Sequence, residues 1–285
     1  MIDLHCHSTF SDGEFSPVQL LEMAAAIGLS ALALTDHDTV AGLPSLLAAE
    51  SGTVTAVPGV EVSAMFGSDT LHILGLFVDW RCPELNRFLE PIRSSREERN
   101  RKIVRRLRNL GCDVTEEDVR ARAGEDVVGR PHIAQSLVAA GCCESIPEAF
   151  EVYLGVRGKA YYKRFRPSAE SAVRTVHAAG GLAVWAHPVA ARDHAESTLR
   201  QRLRSLRDAG LDGIESHYSE HTEEQTRFVS RLADEAGLLL SGGSDFHGAP
   251  MPGIELGRGR GNLAVPDQFL DRMRNKIAAE TTRAP

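Results

Sequence analysis

The chain has 285 residues, enough for one large domain or a domain carrying an insertion, and 42% hydrophobic content can fill a real core. Its net charge of −7 argues against a general affinity for nucleic acid while leaving room for a local basic pocket. The five cysteines (Cys6, Cys82, Cys112, Cys142 and Cys143) have no paired zinc spacing and leave an odd number, which reads as thiols in a reducing compartment. No leader precedes Ile2 and no apolar run approaches the roughly 18 residues of a membrane span, so a soluble, cytoplasmic protein is expected.

IDLHCH reads as the first strand. SPVQLLEMAAAIG reads as a helix, with Ser16 as its cap, Pro17 in the first turn and Gln19 completing a capping box. SALALTDHD is the next strand, and a short helix follows at about 44–50. TVTAVPGVEVSAM and TLHILGLFVD give two more strands. Residues 83–166 break the alternation: they are helical and arginine-rich, contain no convincing strand, and read as a small helical domain inserted between two strands. A helix at 169–179, the strand GLAVWAHP, a helix at 197–209, the strand DGIESHYS, a helix at 223–236 and the strand LLLSGGSDFHG complete the pattern. The tail from 279 to 285 is expected to be disordered. Seven strands separated mainly by helices favour a parallel sheet covered by helices, closed as a barrel rather than left open. No glycine-rich dinucleotide or phosphate-loop fingerprint follows the first strand.

Side chains at i and i+2 of a strand share a face, so His5 and His7 point together while Cys6 points away. The last strand repeats this arrangement with Asp245 and His247 around Phe246. His37 in LTDHD, Glu61 in PGVEVS, His72 in TLHILG and His187 in VWAHP are likewise polar residues at or near the ends of apolar strands. In an α/β barrel those ends converge on one mouth. A single strand histidine is more often a satisfied core residue than a ligand. Six of the 11 histidines together with Asp12, Glu61 and Asp245 are another matter. Burying so many unpaired polar groups would cost several kcal/mol each, and metal ions remove that cost. Nine nitrogen and oxygen donors suit two or three ions sharing a carboxylate, with Glu61 as the natural bridge. Manganese, iron and zinc all suit such donors, and the lack of thiolates argues against a structural zinc knot.

HCH with SDG, TDHD, the Glu of PGVE, the His of LHILG, the His of AHP and the closing SDFH together resemble the PHP (polymerase and histidinol phosphatase) superfamily. The helical insertion further resembles the subgroup of 3′,5′-nucleoside bisphosphate phosphatases and RNase AM-type 5′-to-3′ exoribonucleases. The resemblance implies an α/β fold of the distorted (β/α)7 TIM-like barrel type, with residues 1–82 and 167–285 forming the barrel and an inserted small helical cap at 83–166. It implies a trinuclear site: His5, His7, Glu61 and Asp245 on one ion, Glu61, His72 and His187 on a second, and Asp12, His37 and His247 on a third. Manganese is the first expectation for these divalent ions, with iron or zinc as alternatives. Asp36 and Asp38 would support His37 or cap its loop.

A water shared by the ions, deprotonated near neutral pH, would attack phosphorus, and Asp12, His37 and His247 would form the catalytic side of the site. The insertion should select the phosphoester. SSREERNRKIVRRLRNLG reads as a basic helix with Ile103, Leu107 and Leu110 on one apolar face and mostly solvated arginines, among which Asn100 and Arg101 are candidate substrate contacts. In GRPHIAQSL, Pro131 at a helix start would set Arg130 and His132 beside free backbone N–H groups, an anion site. RGKAYYKRFR holds five cations and three aromatics without an acid, and Lys159 and Tyr161 there are candidates for phosphate and base. His217 and His221 in SHYSEHT are weaker candidates. The expected substrate is a 3′,5′-bisphosphorylated nucleoside or a short 5′-phosphorylated RNA, with no membrane and no duplex DNA as partner. The alternatives are a histidinol-phosphate-like metabolite phosphatase and a PHP module that binds metal without turnover.

Overall fold

The computed structural model describes residues 1–123, 127–189 and 196–283. Its seven strands are β1 (Ile2–Cys6), β2 (Ala31–Leu34), β3 (Thr55–Phe66), β4 (Asp69–Leu76), β5 (Leu182–Trp185), β6 (Gly213–Tyr218) and β7 (Leu239–Gly243), each bonded to the next in chain order. The segment after β7 returns to β1, where Asp245 N donates to His5 O at 2.8 Å and His7 N to Phe246 O at 3.0 Å. The sheet therefore curls into a nearly closed barrel, as the alternation of strands and helices implied.

The helices are α1 (Pro17–Ala26), α2 (Leu43–Ala48), α3 (Pro83–Asn109), α4 (Glu116–Arg120), α5 (Arg130–Ala139), α6 (Ile146–Ala149), α7 (Ala169–Ala178), α8 (Glu196–Asp208), α9 (Glu223–Ala236) and α10 (Gln268–Arg283). Ser16 and Gln19 form the capping box of α1, with Pro17 in its first turn. Thr222 and Gln225 do the same for α9, which ends on Gly237 in the left-handed conformation.

The expectation of a wholly parallel sheet fails at β4. Phe66 pairs with Asp69 across a two-residue turn, so β3 and β4 run antiparallel, and β4 is antiparallel to β5 as well. Two residues cannot carry the chain back across a sheet for a parallel strand; only a hairpin fits. Gly67, at φ +59°, makes the turn.

One face of the strands (Ile2, Leu4, Ala31, Ala33, Leu74, Leu76, Leu182 and Val184) packs as a core with Phe269, Leu270 and Met273 of α10. The other face (Cys6, Leu32, Leu34, Ile73, Ala183 and Trp185) packs against the surrounding helices. In β1, Asp3 pairs with Leu32 and Cys6 with Leu34, so the strand carries one extra residue. That bulge puts both Leu4 and His5 on the inner side and shifts the phase, leaving His5 and His7 inward and Cys6 outward.

Two further expectations are corrected. The tail is not disordered through its length, because α10 runs to Arg283, and only residues 284 and 285 of it lie outside the described residues. Its Phe269, Leu270 and Met273 form an apolar stripe that the barrel floor buries. Leu110 does not join Ile103 and Leu107, since α3 ends at Asn109 and Leu110 stands exposed as the chain turns at Gly111.

Among the described residues of 83–166 no strand occurs. α3 serves two cores: Leu85, Leu89 and Ile92 pack with the barrel's outer cluster, whereas Ile103, Val104 and Leu107 pack with Val119, Ile133, Leu137 and Leu154 in a separate one. A π-helical turn at Phe150–Leu154 belongs to this second unit.

Met273 is fully buried at the barrel floor. Met273→Ala is expected to cost about 2–5 kcal/mol in denaturant unfolding, whereas a loss below about 1 kcal/mol would make α10 peripheral.

Candidate metal centre and anion pocket

The residues that alternate into the barrel mouth do so on different elements. His5 is the last residue but one of β1 and His7 follows the strand. Asp12 lies in the turn before α1, and His37 in the loop after β2. Glu61 and His72 face each other diagonally across the β3–β4 hairpin, where Ser63 is the direct partner of His72. His187, Asp245 and His247 follow β5 and β7. Four non-glycine residues with positive φ are found among the described residues, and three belong here: Asp38 (+59°), His187 (+29°) and Asp245 (+56°). Such strain persists where the surroundings over-determine a geometry, as at functional sites.

Glu61 is fully buried at the centre. Its Oε1 lies 2.7 Å from His72 Nδ1, 3.0 Å from His187 Nε2 and 3.5 Å from His5 Nε2. Its Oε2 lies 2.6 Å from His37 Nδ1 and 3.4 Å from His7 Nε2. Asp245 Oδ1 reaches His7 Nε2 at 3.0 Å and His5 Nε2 at 3.3 Å, and Asp12 Oδ1 reaches His247 Nε2 at 3.3 Å. All nine residues expected from the sequence are therefore gathered.

Burial alone would raise the three carboxyls, yet the imidazoles around them hold Asp12, Glu61 and Asp245 well below the usual carboxylate range. The histidines diverge. Burial, with His247 and His37 beside it, pushes His7 down to about 3. Burial pulls the other way on His247, but Asp12 and Asp245 carry it up to about 9.

These groups fit a divalent ion. His5 Nε2, His7 Nε2, Asp12 Oδ1, His37 Nδ1 and Glu61 Oε2 are buried without a hydrogen bond, although each lies near another donor atom. Left so, each would cost about 1–3 kcal/mol, and a cation at the points of convergence turns that cost into bonds. Four groups are tight enough for an ion: His7, Asp12, His37 and His247; His5, His7 and Asp245; His5, Glu61 and His187; and His37, Glu61 and His72. These differ from the sets implied by family resemblance in joining His187 with His5, His37 with His72, and His7 with Asp12, His37 and His247.

Surrounding residues fix the donors. Glu215, which sequence reading passed over, is fully buried; its Oε1 lies 3.1 Å from His5 Nδ1 and its Oε2 accepts from His187 N at 2.7 Å. A charged residue inside the predicted strand DGIESHYS was the available signal. Tyr218 Oη donates to Asp245 Oδ2 at 3.0 Å. Asp36 binds Ser8 N, Ser8 Oγ and Ser11 Oγ at 2.8, 2.6 and 2.5 Å, which ties the β1 loop to the β2 loop.

Asp38, next to His37, accepts from Ser63 N at 2.7 Å, Arg96 at 2.5 Å and Arg164 at 3.2 Å. Beyond it, Arg96, Arg99, Arg130, Arg164 and Arg166 lie close enough to repel one another as one largely buried cluster, termed the arginine pocket. Burial and the other four arginines press against the charge on Arg99 and pull its pKa down. Burial and Arg96 pull Arg164 to about 9 against the support of Asp38. The Nε atoms of Arg96, Arg99, Arg164 and Arg166 have no hydrogen bond among the described residues. A guanidinium holds its proton, so such crowding is relieved by an anion. Arg96 and Arg99 were not singled out because α3 reads as a solvated basic helix, yet they are 6% and 4% exposed.

The other sequence candidates divide. Arg130 belongs to the pocket, with its Nη1 on Leu154 O at 3.0 Å. His132 is buried nearby, where Asp12 and His247 act on its charge, and its Nδ1 accepts from Gly129 N at 3.0 Å. Tyr161 is near enough to Arg130 and Arg166 to act on their charge. Asn100 is buried but occupied in structure, donating to Val128 O at 2.6 Å and accepting from Arg99. Arg101 is exposed beside Glu97 and Glu116, and Lys159 is exposed over the Tyr153 ring at 5.7 Å; neither joins the arginine pocket. His217 packs on Phe269, and His221 on Tyr218, in a separate cavity lined also by Asn262 and Thr226.

A family model described as PHP domain matches residues 3–115. A 5′-3′ exoribonuclease from Haemophilus influenzae is 36% identical over 269 residues, 94% of this chain and 96% of that protein. A 3′,5′-nucleoside bisphosphate phosphatase from Chromobacterium violaceum is 34% identical over 258 residues, 90% of each. A solved Bifidobacterium adolescentis protein, assigned as a metal-dependent phosphoesterase, superposes with a TM-score of 0.87 at 31% identity, covering 96% of both chains.

Glu215→Gln keeps the shape of the side chain but weakens its hold on His5. It is expected to lower manganese affinity roughly 10- to 100-fold in calorimetric titration. Unchanged affinity would limit Glu215 to supporting the His187 backbone.

Proposed function

The chain belongs to the PHP family and is a phosphoric ester hydrolase, and on that premise we propose that it removes the 3′-phosphate from 3′,5′-bisphosphorylated nucleosides and trims short 5′-phosphorylated RNA from its 5′ end. The observation that carries this reading is the arginine pocket beside the nine-donor cluster. One phosphoester needs only the donor cluster and what it binds. Five crowded arginines ask for a second anion on the same molecule. A bisphosphorylated nucleoside supplies it, and so does the 5′ end of a phosphorylated RNA. A small metabolite with one phosphate does not.

His5, His7, Asp12, His37, Glu61, His72, His187, Asp245 and His247 would hold two or three divalent ions, with manganese as the first expectation. When bound, such ions lower the pKa of the attacking water and neutralise charge on the phosphoryl oxygens. The remaining work falls to the chain. Arg96, Arg99, Arg130, Arg164 and Arg166 would hold the distal phosphate, so its binding energy orients the scissile one. Tyr161 would lie along the nucleoside beside Arg130. Asp12 Oδ1 and His247 Nε2, 3.3 Å apart, would be ligand atoms on the leaving-oxygen side, and His247 Nδ1 donates to Asp245 O at 2.7 Å, which leaves Nε2 for an ion. Gly129 keeps the start of α5 close to them, since a Cβ there would lie 3.2 Å from Asp12 Oδ2.

Among the described residues no helix is long and apolar enough to cross a membrane, and the five cysteines are free thiols. Free thiols fit a reducing cytoplasm.

Phosphate release from 3′,5′-adenosine bisphosphate with added manganese tests the reading, with His7→Ala as the control. Rapid release that the control lacks is expected, and no release by metal-loaded protein would overturn it. Arg130→Ala is expected to raise KM for the bisphosphate by about 30-fold or more, the cost of breaking a buried charged contact. Its effect on p-nitrophenyl phosphate should be small; equal losses on both substrates would remove Arg130 from phosphate binding.

A further inference from the structure

Residues 155–167 return from the helical insertion to the barrel, and their two faces differ. Arg164 turns inward to Asp38 at 3.2 Å and Arg166 is largely buried beside the other arginines, with Tyr161 near enough to act on its charge. The residues between them point out. Tyr162 is 37% exposed and Phe165 52%, and Lys163 is exposed between them. The segment is pinned to α3, where Phe165 N donates to Ser95 Oγ at 2.6 Å, so the two rings stand on anchored backbone. Arg157 and Lys159 extend the exposed positive charge, and no acid occurs from Val156 to Arg166. On a chain of net charge −7, exposed aromatics interleaved with uncompensated cations form a local feature of opposite sign.

We propose that Tyr162, Lys163 and Phe165 form a stacking surface for single-stranded RNA, taking the nucleotides that follow the one held in the arginine pocket. This rests on the function proposed above, because the pocket sets where the strand begins. Two observations select this occupant. The first is charge: an RNA backbone matches Lys163, Arg157 and Lys159. The second is continuity, since neighbouring residues of one segment face the pocket and the outer surface, within about 3.5 Å of chain per residue. Bases stack on aromatic faces without regard to sequence, which suits an enzyme that trims many RNAs. A mononucleotide ends inside the pocket and never reaches these rings. The surface would therefore separate oligonucleotide from mononucleotide substrates without touching the chemistry.

The test uses the manganese-loaded full chain, with a 5′-phosphorylated RNA of about eight nucleotides and 3′,5′-adenosine bisphosphate as substrates. A stacked base is worth roughly fivefold to 100-fold in binding, so Tyr162→Ala with Phe165→Ala is expected to lose at least about tenfold in kcat/KM on the RNA, through KM. The same variant should stay within about twofold on the bisphosphate, and Tyr162→Trp with Phe165→Trp should restore RNA turnover. Lys163→Ala should flatten the salt dependence of KM for the RNA alone. Equal losses on both substrates, no loss on the RNA, or equal competition by an oligoglutamate peptide would each overturn the proposal. Wild-type protein that acts on the bisphosphate but not on the RNA would overturn it and leave the mononucleotide reading standing. Wild-type protein that acts on neither would bring down both.

Discussion

Glu61 is the constraint on which the site depends. Its carboxylate has no exposed surface, and imidazoles of five histidines lie within 3.5 Å of its oxygens. A carboxylate stays ionised in an interior only where donors or cations surround it. Those histidines come from β1, the β2 loop, β4 and the end of β5, so the charge is tolerable only when the barrel has closed. The bulge in β1 is part of this closure, because without its extra residue His5 and His7 could not both follow Leu4 into the interior. The β3–β4 hairpin is another part, since antiparallel pairing sets His72 diagonally opposite Glu61.

Two concentrations of charge then stand side by side. One is rich in imidazole and carboxylate and suited to cations; the other is a crowd of guanidinium groups suited to an anion. Asp38 lies at their border, beside His37 and bonded to Arg96 and Arg164. This would let an acidic protein receive the doubly phosphorylated substrate proposed above. The net charge is spread over the surface, whereas the field that matters is set within a few ångströms in a partly desolvated pocket. α3 links the two regions mechanically, with one half packed on the barrel and the other in the core of the insertion.

Some of this was legible in the sequence. Most of the nine candidate donors stood out because a polar residue in or just after an apolar strand breaks its pattern, although Glu61 and His72 lie within β3 and β4 rather than at their ends and Asp12 sits in a turn. The Ser16 capping box was equally readable, being local chemistry. Arg96 and Arg99 were not: on a helix dense in arginine, the buried and solvated ones carry the same pattern until the partner surface is known. Glu215 was missed because its two partners, His5 and the His187 backbone, lie far away in the chain. α10 itself was not foreseen, because its apolar stripe is weak without the barrel floor that buries it.

By itself, then, the sequence determined the strands, the candidate donors and the acid-free basic segment, because strand period, residue type and composition are properties of short stretches. Only the tertiary structure decided that the sheet contains an antiparallel hairpin, which arginines turn inward and which donors share a neighbour. Those outcomes depend on contacts between residues distant in the chain, and burial that creates such contacts also changes the charge and cost of every group it covers.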